Sequence, residues 1–318
     1  MESKSLIKTQ KAEKYFNKEI VSYTVLGKGR DFEYNTCANA FELRSCDNGN
    51  LVYLYPQPTP DSLDIIYSSE FIPFQFNKIG GIAKVVRDFL QRRKAKAVIK
   101  LSGRKKDEIK ILDAGSGSGV FLKILKKIIG SSDNLYANDF SEKILEPLKN
   151  EGFGVMPGTL DEFTTTEKFD VITMFQVIEH LYHPLKAINN LAGALKDGGY
   201  LFIETPSIDS LDAKIFSKGY WDGYQIPRHL WLFNETSLKE LAALAHLEIV
   251  RIQYFPYPIF WIHSIRNMLL DKNYPKIASV FTYQNPLLLV VFTIFDLVIL
   301  IFYGKTSNMR VVMQKAAH

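Results

Sequence analysis

Between Ile109 and Lys315 the chain alternates short, continuous apolar runs with longer stretches in which apolar positions recur every three to four residues. The runs read as buried strands and the periodic stretches as amphipathic helices. They predict strands at 110–114, 135–139, 154–156, 169–175 and 200–205, and helices at 120–129, 142–150, 184–195 and 235–245. A βαβ succession of this kind argues for a parallel sheet covered by helices. Two further strand candidates, 247–255 and 309–315, are separated by a mostly apolar stretch. Before Ile109 the pattern is weaker. Apolar runs at 41–43 and 51–55, the latter followed by Pro56, Pro58 and Pro60, read as a small, irregular, partly β segment leading into a helix near 79–96. No internal repeat or low-complexity tract interrupts the chain.

Composition narrows the class without naming it. With 318 residues, 47% apolar and 23% charged, the chain has material for a real core, and global disorder is excluded. Cys37 and Cys46 are too few for a disulfide framework or a four-thiolate zinc site, so no metal is expected. That cysteine usage suits a reducing compartment. The first residues carry lysines but no apolar export core, so the expected location is cytoplasmic, at the inner face of a membrane if one is contacted. The net charge of +5 is unevenly spread, with ten Lys/Arg against three Asp/Glu from Arg87 to Lys110. A solvated helix face and loop is the simplest reading, and an acidic partner is the sharper one. Only Phe89 interleaves those charges, so a nucleic-acid stacking platform is not expected.

The strongest local signal is 111–119, Ile-Leu-Asp-Ala-Gly-Ser-Gly-Ser-Gly, a strand running into a glycine-rich turn and then a helix. Glycine permits positive φ and lets a ligand lie against the backbone, and the following helix begins with unpaired amides. A dinucleotide fingerprint starting at Gly115 would require glycine at position 120, which is Val120. Asp113 stands two residues before the first glycine, where it can hold a cationic part of a ligand but would repel a pyrophosphate. The pattern therefore favours S-adenosylmethionine over NAD. Asp139 ends the second strand 26 residues after Asp113, where a carboxylate can accept both ribose hydroxyls. Alternatively, Asp139 and Ser141 only cap the next helix.

With these residues in view, the chain resembles the class I S-adenosylmethionine-dependent methyltransferases from about Lys110 to Phe255, with a final strand near Met309. It is similar to the branch with a variable N-terminal segment, in which Phe169-Asp170-Val171-Ile172 leads to Val177-Ile178-Glu179-His180-Leu181 and Pro184. Glu204-Thr205-Pro206-Ser207 and Pro227-Arg228-His229-Leu230-Trp231-Leu232-Phe233 match the same branch. The resemblance implies an α/β, Rossmann-like fold: a seven-stranded, mostly parallel sheet with helices on both faces. The expected boundaries are 1–105 for the N-terminal segment, 106–254 for the core, 255–305 for an apolar helical insertion and 306–318 for the last strand. It also implies that Asp113, Gly115, Ser116, Gly117 and Gly119 line the methionine and ribose side of the cofactor, and that Asp139, with Phe140 beside it, holds the ribose. Leu160 and Asp161 would flank the adenine, and Phe175 and Gln176 would face the sulfonium.

Methyl transfer is an in-line substitution at an activated carbon, so the protein must align the acceptor, exclude water and, for a hydroxyl, remove a proton. Histidine is the natural base, and the chain offers His180, His183, His229, His246, His263 and His318. Glu179, His180 and His183 can form a base or hold a divalent ion, or Glu179-His180 can simply fix a turn. His229 is expected to border the acceptor pocket, with Arg228 binding an acidic acceptor or pairing with a structural carboxylate. Tyr220, Trp221, Tyr224 and Trp231 are pocket wall or plain core. A catalytically inactive, membrane-docked nucleoside-binding partner and an NAD-dependent reductase are the rival functions.

The stretch 286–303 holds eighteen residues with Asp296 as its one charge. A single membrane crossing would put the strands on either side of it on opposite sides of a bilayer, and the only partner for a second crossing, 259–270, is short and carries His263 and Arg266. The readings left are in-plane or re-entrant membrane contact, a helix buried in protein, and a poor two-pass hairpin. Asn285, Thr293, Asp296 and Tyr303 would turn toward the core domain, while Trp261, Arg266, Lys272 and Lys276 would suit a headgroup boundary. Membrane contact would make a lipid-linked acceptor sensible beside a small-molecule one.

Overall fold

The computed structural model describes residues 5–67 and 81–317, with side chains described from 88 onward in the helix that opens the second stretch. Two compact units share the chain, and neither is continuous in sequence. One draws its described residues from Met1–Ser68, Thr205–Lys239 and Ile252–Arg310, the other from Ser69–Glu204, Glu240–Arg251 and Val311–His318.

The second unit holds most of a seven-stranded sheet, in the order Gly154–Pro157, Leu135–Asp139, Ile111–Ala114, Phe169–Phe175, Leu195–Pro206, Asn308–Lys315, Leu247–Phe255. The first five strands pair in parallel. Burial follows position: Phe169–Phe175, in the middle, is buried at every residue but the last. Leu247–Phe255, at the edge, buries only Leu247, because an edge strand keeps one flank in water. Helices Gly81–Ser102 and Val120–Ile129 place Ala95, Val98, Leu122 and Leu125 in one apolar cluster with Ile111, Ala137 and Val171. From Ile111–Ala114 the chain runs first toward one edge and then, at Phe169–Phe175, returns on the other side. In α/β sheets such a reversal is where ligands bind, beyond the strand carboxyl ends.

The expected helices and strands fall within a few residues of their observed limits. Strand Leu195–Pro206 starts five residues earlier than its apolar run suggests. The helix expected near 79–96 is observed as Gly81–Ser102; positions 79 and 80 lie outside the described residues.

In the first unit, Thr24–Gly29, Phe41–Cys46 and Leu51–Tyr55 form an antiparallel sheet that is completed by Trp231–Phe233. That three-residue strand was not expected. It is too short to show a period, and its partner lies far away in sequence. Trp231 packs on Tyr53 with ring centroids 5.9 Å apart and is buried, so it belongs to the core.

The apolar insertion folds as helices Pro258–Asp271, Pro275–Ala278 and Pro286–Phe302. Asn285 caps the last of these through its side chain. Asp296 is buried and accepts from Tyr257 N at 2.6 Å and Trp261 Nε1 at 2.8 Å. Of the residues expected to turn inward, Asp296 does so, while Asn285 and Thr293 are half-buried and Tyr303 is exposed. Trp261 does not lie at a headgroup boundary: it is buried, stacked on Phe292 at 6.2 Å and edge-on to Phe295 at 5.0 Å. Lys272 and Lys276 are exposed. The outward side of the helix leaves Leu287, Ile294, Ile301 and Phe302 largely in solvent. Among the described residues no helix is long and apolar enough to cross a membrane, which removes the two-pass hairpin from what they support.

Candidate active site

The glycine turn follows directly from the end of strand Ile111–Ala114. Gly115, Gly117 and Gly119 have φ of 72°, 51° and 70°, the left-handed region that costs an L side chain about 1–2 kcal/mol. Their surroundings separate them. A Cβ on Gly115 would stand 2.5 Å from Val177 Cγ2, and one on Gly119 would stand 2.3 Å from Leu148 Cδ2. A Cβ on Gly117 would meet nothing within 4 Å. Two glycines thus serve close packing, and the middle one faces open space. Ser116 lies beside it with a buried hydroxyl that has no partner among the described residues.

Asp113 is buried at the strand end and accepts from Thr173 Oγ1 at 2.6 Å. Burial pushes its carboxyl up to about 7, against the pull of the Thr173 hydroxyl and the Lys94 charge. Asp139 ends the neighbouring strand. Its Oδ2 accepts from Gly117 N at 3.0 Å and its Oδ1 from Ser141 N at 3.1 Å. The capping alternative is therefore realised in part, with a further backbone hydrogen bond from Phe140, and the carboxylate's four lone-pair sites still leave it acceptor capacity. Burial raises this carboxyl too. Phe140, next in sequence, is exposed.

After strand Gly154–Pro157 a single 3-10 turn, Leu160–Glu162, carries the next two expected residues. Leu160 is buried. Asp161 Oδ1 is buried without a partner among the described residues, and burial raises the carboxyl although His183, Lys186 and the His183 backbone pull it down. Asn190 holds this turn, donating from Nδ2 to the carbonyls of Leu160 and Asp161 at 3.0 Å each. It sits among the apolar positions of helix Pro184–Ala194, and nothing in its sequence context marks it.

At the end of strand Phe169–Phe175, Gln176 adopts φ 56°, a conformation rare for a non-glycine residue, and donates from N to Glu204 O at 2.8 Å. Such backbone strain collects at functional sites. Phe175 stacks edge-on to Phe121 at 5.1 Å, and Lys94 Nζ lies 4.1 Å from its ring centroid. The same ammonium meets Glu204 Oε2 at 2.5 Å. Sequence reasoning missed Lys94 because it is hidden in the basic run, much of which is paired within the unit: Arg104 with Asp170 at 3.0 Å, and Lys110 with Glu167.

The 3-10 turn Ile178–His180 buries Glu179 completely and leaves His180 half-buried and His183 exposed. His229 belongs to the first unit, where it is buried and its Nδ1 lies 2.7 Å from Gly223 O. A carbonyl can only accept, so Nδ1 carries a proton, which in the neutral tautomer puts the lone pair on Nε2. Arg228 takes the structural alternative. It is buried, donates to Asp31 Oδ1 at 2.9 Å and to the carbonyls of Ile66 and Ile226, and covers Tyr34 at 4.4 Å. His246 is exposed, and His318 lies outside the described residues.

Residues 86–252, just over half of the chain, match a family model described as a methyltransferase domain. The chain belongs to this methyltransferase family. Among its relatives, a mitochondrial ubiquinone biosynthesis O-methyltransferase of Candida albicans is 30% identical over 108 residues, covering 31% of this chain and 33% of that protein. The enzyme of the same name from Dictyostelium discoideum is 27% identical over 112 residues, covering 30% and 35%. The match thus spans about a third of either relative. A solved Galdieria sulphuraria protein, described as a candidate sarcosine dimethylglycine methyltransferase, shares the fold with a TM-score of 0.50 and 16% identity, covering 72% of this chain and 86% of its own. Family and fold agree with the class I S-adenosylmethionine-dependent methyltransferase resemblance read from the sequence.

Proposed function

We propose that this methyltransferase moves a methyl group from S-adenosylmethionine to an oxygen of a small or lipid-linked acceptor. The observation that carries the reading is the open space over Gly117, bounded by Asp113 and Asp139 at the ends of adjacent strands. The donor set fits the cofactor: Ser116 Oγ and Asp161 Oδ1 are buried polar atoms in need of partners, and Asp139, besides its backbone donors, keeps acceptor capacity for a ribose hydroxyl. When bound, the cofactor supplies a methyl carbon already activated by its sulfonium. In this reading Asp113 balances positive charge, Asp139 orients the ribose, and Leu160 and Asp161, held by Asn190, flank the adenine. The strained Phe175–Gln176 corner borders the reacting end. His229 Nε2 accepts the acceptor's proton, with its tautomer set by Gly223 O, while Glu179 and His180 shape the turn that follows Gln176.

The names of the relatives support oxygen as the methylated atom and a lipid-like acceptor. The outward apolar side of helix Pro286–Phe302 supports in-plane contact with a membrane on which such an acceptor would reside. Calorimetry and product assays test the reading together. Asp139→Ala should weaken cofactor binding by about 1.5–3 kcal/mol, the cost of a lost charge-assisted hydrogen bond. His229→Ala should spare binding and slow release of S-adenosylhomocysteine in the presence of a cellular lipid extract. Cofactor binding with no turnover on lipid or soluble extracts would leave an inactive nucleoside-binding protein instead.

A further inference from the structure

The tautomer of His229 hangs on the contact of its Nδ1 with Gly223 O at 2.7 Å, and Gly223 lies in the 3-10 turn Asp222–Tyr224. Within the turn, Tyr224 N and Gln225 N bond back to the carbonyls of Trp221 and Asp222. So short a turn, with the poorer hydrogen-bond geometry of a 3-10 helix, does not fix its own orientation. The aim of the Gly223 carbonyl must come from what the turn packs on.

That support is helix Pro258–Asp271, in the same unit. Phe260, His263, Ser264 and Asn267 recur at helical spacing along one face, all four are buried, and each meets the segment leading into the turn. Phe260 lies edge-on to the Trp221 ring with centroids 5.8 Å apart. Asn267 Nδ2 donates to Tyr220 O at 3.3 Å, and His263 Nδ1 stands 3.4 Å from Asp222 Oδ2. Ser264 reaches the backbone itself. Its Oγ accepts from Asp222 N at 2.8 Å and donates to Phe260 O at 2.5 Å, so both functions of the hydroxyl are used. Three buried polar side chains on one helix face are a costly way to pack. An apolar face would bury as well, but it would not fix the height of the turn to a hydrogen-bond length. Gly223 is confined from the other side too: a Cβ there would stand 2.4 Å from Trp221 Cζ2, and that ring is held by donation from Nε1 to Asp212 Oδ2 at 2.7 Å.

An unanchored neutral imidazole carries its proton on either ring nitrogen, and the hydrogen bond made by one nitrogen decides where it rests. We propose that Ser264 is a positioning residue for His229: by holding the amide of Asp222 it aims the next carbonyl, that of Gly223, at Nδ1, and so keeps the lone pair on Nε2. The consequence for methyl transfer rests on the reading of His229 as the proton acceptor, whereas the effect on the ring does not.

NMR of the full chain with isotope-labelled histidine rings tests this at about pH 8, above the ordinary imidazole pKa. Correlating the ring carbon protons with both nitrogens reports which nitrogen is protonated, and loss of signals in His229→Gln identifies those of His229. In the wild-type chain Nδ1 should carry the proton. In Ser264→Ala the two nitrogens should move toward the average of both tautomers, with cofactor affinity unchanged by calorimetry. Release of S-adenosylhomocysteine with the lipid extract should fall by roughly two- to fivefold, because only the rings with the lone pair on Nε2 are competent. If Ser264→Ala fails to fold, Ser264→Cys, which keeps a side chain of similar shape that accepts only weakly, carries the same expectations. Protonation on Nε2 in the wild type, or ring shifts unaltered by the substitution, overturns the proposal. Averaged tautomers with undiminished release would instead remove His229 as the base while leaving Ser264 as the residue that sets its ring.

Discussion

Asp113 illustrates how a single buried carboxylate links stability to function. Its pKa is raised by burial from 3.8 to about 7, so over that window the folded chain holds a proton that the unfolded chain releases. Stability from this group is therefore fully present below the unfolded value and is lost as pH rises through about 7, by an amount on the order of 4 kcal/mol. Asp113→Asn removes the titration while keeping an acceptor for Thr173. In urea unfolding of cofactor-free protein, the variant should gain on the wild type as pH rises from 4 to 8, and a constant difference would show that the carboxyl already titrates normally. The same group should tie cofactor binding to pH. A cationic ligand favours the ionised form, so wild-type affinity relative to the variant should rise toward pH 7, a comparison that cancels any titration of the ligand itself. Lys94 tempers the effect, since its ammonium pulls the Asp113 carboxyl down while also meeting Glu204.

The glycine turn concentrates at one element what the sequence could and could not disclose. Its existence, its entry from a strand and its exit into helix Val120–Ile129 were legible, because strand, turn and helix each carry a local pattern. Which glycine faces open space was not, because that depends on Val177 and Leu148, brought in from elsewhere in the chain. The three positions should consequently respond differently to alanine. All three lose about 1–2 kcal/mol to the left-handed backbone. Gly115→Ala and Gly119→Ala add a collision with a packed side chain and should lose distinctly more in urea unfolding. Gly117→Ala should keep most of its stability and instead lose cofactor affinity, because the new methyl group occupies the open space. Cofactor binding unchanged by Gly117→Ala would put the ligand elsewhere. Asn190 and Trp231–Phe233 went unread for a related reason: one polar residue on a helix and one three-residue strand have no periodicity to betray them.

Across the whole molecule, the family core was readable because its motifs recur in order, while the interleaving of the two units was not, since no local signal tells Trp231–Phe233 to join strands near the start of the chain. The apolar insertion is the reverse case: its unusual composition was obvious, and only the coordinates separate its inward side from its outward one. A helix of 17 residues is about 25 Å long, short of a hydrocarbon core of about 30 Å, so its exposed side chains can meet lipid only by lying along the surface. Each such side chain gains roughly 1.5–3 kcal/mol if it is fully buried, and Leu287, Val290, Ile294, Val298 and Ile301 are all exposed on this one helix. Because they make few contacts within the protein, Ile294→Lys with Val298→Lys should leave the melting temperature nearly unchanged. In flotation with vesicles containing anionic phospholipid, the wild-type chain should rise with the lipid and the double variant should stay below. Raised salt should weaken the wild-type interaction only slightly, because Lys272 and Lys276 contribute at the edge while apolar burial supplies most of the affinity. A wild-type chain that ignores the vesicles would remove the membrane from the account and turn attention to soluble acceptors, whereas a double variant that still floats would take this helix out of it.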